Sequence, residues 1–437
     1  MASGYTLLDD SLKAWRSNST TLKEQGHYTE RSLGYFISRK ILQRFGVKLY
    51  VKGLEKLPTP EAVAGRRVLL LPNHRSYLDP VIVHHVLGCG GYRQPRVAAL
   101  DFLAATPIAP MLKKCGAVFI KGNFGNLEYR EKMNETLRTY ADQGDWIEFY
   151  PEGMRSVSGK QMDPRHGLLT GLMADSPCVL YPITISYTRL IEDREFITKK
   201  RGFNVKQTVA SLIFPSKGTG HVYFTVGDPI YTEPSDDARV KAVAVTSSIL
   251  RNNLIHTTDI IATILLERQE ALEIAELERE VQWLTEALQH RGVPCTTVNI
   301  TQGLTLLSHC IRSKQGVVSI GDKTLLIYYR NRMLYALGDL ISLPDMLRKE
   351  VLWSPPRGVR MRDSKKIKEL TKRAFEPTVF LYKYLSDQIQ GGATSVKELR
   401  RSIEDNPHCC YETVTNFLNV LKEDKVLTVE GDIITLL

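Results

Sequence analysis

Three short stretches carry residue types that could do chemistry. In Leu69–Pro80, LLLPNHRSYLDP, His74 is followed five residues later by Asp79. Five residues of regular helix turn through about 500°, so on a helix the two side chains would point apart. A loop or turn at the head of a helix lets the carboxylate fold back onto the imidazole. A carboxylate on one ring nitrogen selects the tautomer and raises the basicity of the other nitrogen, as a general base for an alcohol requires. The second stretch, Lys113–Gly125, KKCGAVFIKGNFG, has a strand-like run ending in Lys121. The third, Pro151–Ser156, PEGMRS, offers Glu152, Gly153, Arg155 and Ser156. Arginine beside flexible backbone N–H groups suits a phosphate. A base beside an anion cradle points to transfer to or from the hydroxyl of a phosphorylated small molecule. Taken singly, His74 reads as a structural histidine and Arg155 as a surface ion-pair partner; the succession of loops carries the functional reading.

These loops need strands and helices to hold them. Val68–Leu71 has the length of a buried strand and ends at a proline; SYLDPVIVHHVL reads as the helix that follows and PRVAALDFL as a second strand. GAVFI, WIEFY (Trp146–Tyr150), VLYPITISY (Val179–Tyr187) and HVYFTVGDPI (His221–Ile230) add strand-like runs, with a polar helix at Leu127–Gln143. Strands alternating with helices and finishing in polar or proline-marked loops imply an α/β fold. Its mixed sheet is flanked by helices and gathers the active site at strand-end loops. Arg189–Lys217 reads as a basic insertion. Upstream, Arg31–Val51 places Leu33, Phe36, Ile37, Ile41, Leu42 and Phe45 at helical spacing with Arg39, Lys40 and Arg44 between them. A core-packed helix with a solvated basic face is the plainer reading of it, a membrane-surface helix the alternative.

From about Asp259 the pattern becomes helical. Ile274, Leu277, Val281, Leu284 and Leu288 form an apolar seam that Gly292 and Pro294 end. Packing on the protein itself is the expected reading of the seam and a free coiled coil the alternative, since so few heptads do not hold together well alone. The expected organisation is an arm at 1–30, an α/β domain at 31–258, a helical extension at 259–354 and a basic, mainly helical C-terminal module at 355–437. That last module opens with eight Lys/Arg against two acids between Arg357 and Arg373.

The 437 residues, 43% hydrophobic and 24% charged, are ordinary for a globular chain and exclude disorder as its general state. Fifty-eight basic against 48 acidic residues leave a charge of +10, which favours an anionic partner. The basic run lacks the interleaved aromatics of a nucleic-acid reader, so nucleic acid is not expected. Seven cysteines without a C-x-x-C pair suggest neither a disulfide framework nor a zinc site, and fit a reducing compartment. No metal is called for. The N-terminus lacks the pattern of a secretory signal, no run approaches a bilayer span, and the final residues are not of the S-K-L type.

The succession NHRSYLD (73–79), GAVFIKGNFGN (116–126), EFYPEGMRSVSGK (148–160), LYPITISY (180–187) and VYFTVGDPI (222–230) resembles the glycerol-3-phosphate and dihydroxyacetone-phosphate acyltransferases. HTTDIIATILL (256–266), the VQWL helix and YYRN (328–331) extend the likeness over roughly residues 31–340. The resemblance implies that His74 takes the proton from an acceptor hydroxyl attacking the thioester of acyl-CoA, with Asp79 orienting it. It implies that Glu152, Gly153, Arg155 and Ser156 hold the acceptor, with Arg155 on its phosphate, and that Pro182 shapes the acyl-CoA side. Acyl-CoA is then a substrate, and no cofactor is implied.

Two positions depart from the family pattern. Gly122 stands where an arginine is usual, so the basic contact would move to Lys121, Lys114 or Arg130; Val157 replaces a further arginine, although Lys160 remains. The EFYPEGMRSVSGKQMDPRHGLL run is closer to the dihydroxyacetone-phosphate enzyme of ether-lipid synthesis. The expected setting is the anionic surface of a membrane, peroxisomal or of another organelle, with a partner enzyme of lipid synthesis as a further possibility. The competing reading is a catalytically weak or inactive acyltransferase-like protein that binds lipid or a partner enzyme.

Overall fold

Leu69, Leu70 and Leu71 are at most 1% exposed, and the strand they form is central to the first part of the structure. Burying each contributes about 1.5–3 kcal/mol. The computed structural model describes residues 4–8, 32–59, 61–63, 65–92, 94–120, 127–156, 158–193, 220–337 and 379–403, together with 414, 417–419, 421–422 and 425–437. Over these residues the chain divides into two compact units. The first comprises Met1–Arg155, Pro164–Glu192 and Arg201–Asn253; the second comprises Ser156–Asp163, Asp193–Lys200 and Leu254–Leu437. The change from Asn253 to Leu254 falls a few residues before the expected boundary at 258, and two short segments from within the α/β region join the second unit.

The first unit holds one sheet. Its strands are β1 (Thr6–Leu7), β2 (Lys48–Lys52), β3 (Arg67–Pro72), β4 (Arg96–Leu100), β5 (Ala117–Ile120), β6 (Ile147–Glu148), β7 (Cys178–Tyr187), β8 (His221–Val226) and β9 (Ile230–Thr232). They lie in the order β1-β2-β8-β7-β3-β6-β4-β5, with β9 also on β7. β3 runs parallel to both neighbours: Leu69 is opposite Leu180 of β7 and Ile147 of β6. β7 and β8 are antiparallel, so the sheet is mixed, in agreement with the α/β reading.

Helices α1 (Ser32–Phe45), α2 (Asp79–Cys89), α3 (Ala109–Lys114), α4 (Leu127–Asp142), α5 (Gly167–Met173) and α6 (Ala238–Asn252) accompany it. In α4, Met133, Leu137 and Ala141 recur every four residues and join a core with Leu69, Ile147, Leu172, Val245 and Ile249. At the start of β3, buried Arg67 is satisfied by Asp142, Asp175 and the Leu172 carbonyl. The helical pattern read over 31–51 ends at Phe45. Gly46, at φ 62°, breaks the helix, and Leu49, Tyr50 and Val51 are buried in β2. On α1, Leu42 and Phe45 are buried while Leu33 and Phe36 are exposed, Phe36 at 56%.

The second unit is mainly helical. Helix α7 (Thr257–Arg268) is buried from Thr257 to Leu266, and its Asp259 pairs with Arg332. In helix α8 (Ile274–His290), Leu277, Val281, Leu284 and Leu288 are at most 1% exposed, as the seam requires. A small antiparallel sheet of Leu272–Glu273, Val317–Ile320 and Ile311–Lys314 was not legible in the helical pattern. Nor was the hairpin of Leu427–Glu430 with Ile433–Leu436. The basic run 357–373 lies outside the described residues. No helix among those described is long and apolar enough to cross a membrane.

Candidate functional site

The C-terminal ends of three adjacent parallel strands, β7, β3 and β6, supply the first unit's polar cluster. β3 stops at Asn73, whose side chain continues the ladder in place of backbone. Its Oδ1 accepts the Ile185 N–H at 2.7 Å and its Nδ2 donates to the Ile185 carbonyl at 3.1 Å. The chain then leaves the sheet as the turn carrying His74 and enters α2 at Asp79.

Within that turn His74 Nδ1 donates to Asp79 Oδ2 at 2.9 Å. The same oxygen accepts the Arg75 and Ser76 amides at 2.6 and 2.8 Å, and Tyr187 donates its hydroxyl to Oδ1 at 2.5 Å. Four donors hold a fully buried carboxylate, which pins the imidazole as the Nδ1–H tautomer and leaves Nε2 as the basic nitrogen. The Tyr150 ring stacks on the His74 ring with centroids 4.0 Å apart. Burial pushes the His74 pKa below its ordinary value; Asp79 opposes this, and the positive charge of Arg155 adds to the lowering. His74 is therefore neutral, and ready as a base, at neutral pH.

Glu152 is brought to the same place, 1% exposed. Its Oε1 accepts the His74 amide at 3.0 Å, and Arg75 Nη1 lies 2.9 and 2.7 Å from its two oxygens. Its carboxylate thus braces the base loop. Gly153 has φ 71°, and a Cβ there would lie 2.6 Å from the Arg165 side chain, so glycine is required. Arg155 is half-buried, its guanidinium carbon 3.3 Å from the centroid of the Tyr77 ring, a cation–π contact. The structure therefore joins His74, Asp79, Glu152 and Arg155.

Ser156 falls in the second unit, where its hydroxyl donates to the Lys160 carbonyl at 2.6 Å and closes its own turn. Pro182 is buried in β7, opposite Leu71, between the ladders to β8 and β9. There its missing N–H costs no sheet hydrogen bond. Lys121, Gly122 and Val157 lie outside the described residues. Lys114 and Arg130 are exposed on α3 and α4.

Four participants were not singled out from the sequence. Besides Tyr187 and Tyr150 they are Glu148 and Glu192. Glu148, fully buried on β6, accepts the Tyr150 hydroxyl at 2.7 Å, and burial pushes its pKa up to about 8. Glu192, 3% exposed, accepts the Ser76 hydroxyl at 2.8 Å and the Tyr77 amide at 2.7 Å. Burial raises its pKa to about 7. Tyr187 and Glu192 are both visible in the stretch ISYTRLIED as polar residues just past a buried strand, and that position is the signal that could have marked them.

Residues 48–186 match the acyltransferase family, and residues 218–337 match the glycerol-3-phosphate acyltransferase C-terminal region. A glycerol-3-phosphate acyltransferase of Pseudomonas putida is 27% identical over 332 residues, covering 65% of this chain and 40% of that protein. One from Pseudomonas paraeruginosa is 31% identical over 209 residues, covering 44% and 25%. The chain thus spans well under half the length of these curated relatives. A solved structure, the 1-acyl-sn-glycerophosphate acyltransferase of Thermotoga maritima, aligns with a TM-score of 0.33 and 17% identity over 55% of this chain and 80% of that one.

Proposed function

We propose that this chain, which belongs to the glycerol-3-phosphate acyltransferase family, transfers an acyl group from acyl-CoA to the hydroxyl of glycerol 3-phosphate. One observation carries the reading: a histidine held by a buried carboxylate stands in the electrostatic field of Arg155, so a basic nitrogen and a cation share one site. The two matched regions, which together take in more than half of the chain, support it.

The proposed transfer runs through His74. An alcohol is far too weak an acid for imidazole to deprotonate outright, so His74 Nε2 takes the proton as the oxygen attacks the thioester carbonyl. The new C–O bond forms, a tetrahedral intermediate collapses, the C–S bond breaks, and the proton passes from His74 to the departing thiolate of CoA. Asp79 stabilises the transient imidazolium without itself taking the proton. Arg155, carried on Tyr77, binds the acceptor phosphate through charge-assisted hydrogen bonds. Glu152 and Gly153 act by shaping the loops, and Pro182 by shaping the strand on the acyl-donor side.

Glycerol 3-phosphate is proposed over dihydroxyacetone phosphate because the curated relatives bear that name. CoA release measured with glycerol 3-phosphate, with dihydroxyacetone phosphate and with no acceptor tests the reading. Acceptor-dependent release led by glycerol 3-phosphate is expected, and release that no acceptor stimulates would refute it. An anionic membrane surface is proposed as the working place. On α1 the exposed Leu33 and Phe36 are followed by exposed Arg39, Lys40 and Arg44, apolar anchors beside cations.

A further inference from the structure

We infer that Glu192 is a positioning residue for acceptor binding: it fixes Ser76–Tyr77, and through the Tyr77 ring it sets where Arg155 presents its charge. The inference rests on the reading of Arg155 as the phosphate ligand. Glu192 lies five residues beyond the end of β7, yet both of its described hydrogen bonds reach back more than a hundred residues to the turn between His74 and Asp79.

The turn is clamped from two sides. Asp79 Oδ2 takes the Ser76 amide at 2.8 Å, and Glu192 Oε1 takes the Ser76 hydroxyl and the Tyr77 amide. The Ser76 hydroxyl also accepts the Leu78 amide at 3.1 Å, so the side chain and backbone of this fully buried serine are committed on every side. The Glu192 carboxylate holds the Tyr77 backbone through its amide. The Tyr77 ring is the platform beneath Arg155, with 3.3 Å between guanidinium carbon and ring centroid.

Arg155 also acts electrostatically on both Glu192 and His74. The cation is therefore near enough to the clamp and to the base to act on both. A guanidinium stacked on a ring takes its plane from that ring, so the plane in which Arg155 meets a phosphate is inherited from Tyr77. Removing Glu192 would leave His74 on Asp79 but let the Tyr77 platform drift. The effect should fall on acceptor binding before chemistry, because a misplaced phosphate ligand weakens the ground state and transition state together.

Glu192→Ala and Tyr77→Leu should each raise the KM for glycerol 3-phosphate by about tenfold or more, with a smaller fall in kcat and an unchanged KM for acyl-CoA. Glu192→Gln keeps an acceptor oxygen in the same place and should restore the acceptor KM to within about threefold of the wild type. The double variant should be no worse than the worse single one, since both break the same chain of contacts. Arg155→Ala, measured alongside, reports the contact itself. Loss of kcat with unchanged acceptor KM in both single variants, equal rises in both substrates' KM, additive effects, or no rescue by glutamine would overturn the positioning role. A wild type that does not acylate glycerol 3-phosphate, or an Arg155→Ala variant with normal acceptor KM, would instead overturn the reading beneath it.

Discussion

Glu152 Oε1 accepts the backbone N–H of His74 at 3.0 Å while its carboxylate pairs with the buried Arg75 guanidinium. The acidic residue of the E-G-x-R-S loop and the base of the preceding loop are thus one assembly, built from the ends of β6 and β3. Removing one partner of a buried ion pair costs about 3–5 kcal/mol because the other charge is left behind. Glu152→Ala should therefore lower the denaturation midpoint and abolish turnover together. Glu152→Gln, which can still accept the His74 amide, should lose less of each; chemical denaturation with a parallel activity assay separates the two variants.

The lowered His74 pKa sets the acid side of the pH profile. With neutral imidazole as the active form, the acid limb of kcat/KM should lie below about 6.5, the ordinary histidine value. Arg155→Gln removes a charge that depresses that pKa, so the limb should move to higher pH. A shift to lower pH would contradict the geometry.

Asp79 selects the tautomer. In Asp79→Asn the amide can donate to Nδ1 and turn the basic nitrogen away from the acceptor, so kcat should fall by about 10³–10⁴, as in other His–Asp pairs. Acyl-CoA affinity, measured by calorimetry, should be retained.

Glu148 is neutral at pH 7 in the folded protein, its pKa pushed by burial to about 8, whereas in the unfolded chain it ionises near 4.3. A raised carboxyl pKa contributes stability that is fully present below the unfolded value and lost as pH rises towards the folded one. Glu148→Gln has no such proton to lose. Between pH 5 and pH 8 the stability difference should move in favour of the variant by a few kcal/mol, read from denaturant midpoints at the two pH values. A constant difference would mean that Glu148 is ionised throughout.

The exposed face of α1 predicts sedimentation with anionic liposomes at low salt, weakening as salt rises. Phe36→Glu should abolish it without affecting the fold, since Phe36 is 56% exposed.

What could be read in advance followed sequence distance. The His74–Asp79 pair lies within one loop, and its strand, turn and helix each have a local pattern, so its geometry was legible. The donor to Asp79 Oδ1, Tyr187, is 108 residues away, and Glu192 reaches Ser76 across 116. No periodicity reports contacts of that range; they depend on β7 lying beside β3. β2 went unread because KLYVK directly continues a helical spacing, and only Gly46 separates them. Ser156 adjoins Arg155 in the motif, and the turn its hydroxyl closes on the Lys160 carbonyl is a contact that the motif's residue types do not announce.

Every proton in the proposed transfer passes through His74. In His74→Ala, CoA release with glycerol 3-phosphate as acceptor should fall by about 10²-fold or more, with the circular dichroism spectrum and acyl-CoA binding unchanged. Turnover close to that of the wild type in a correctly folded His74→Ala protein would contradict it.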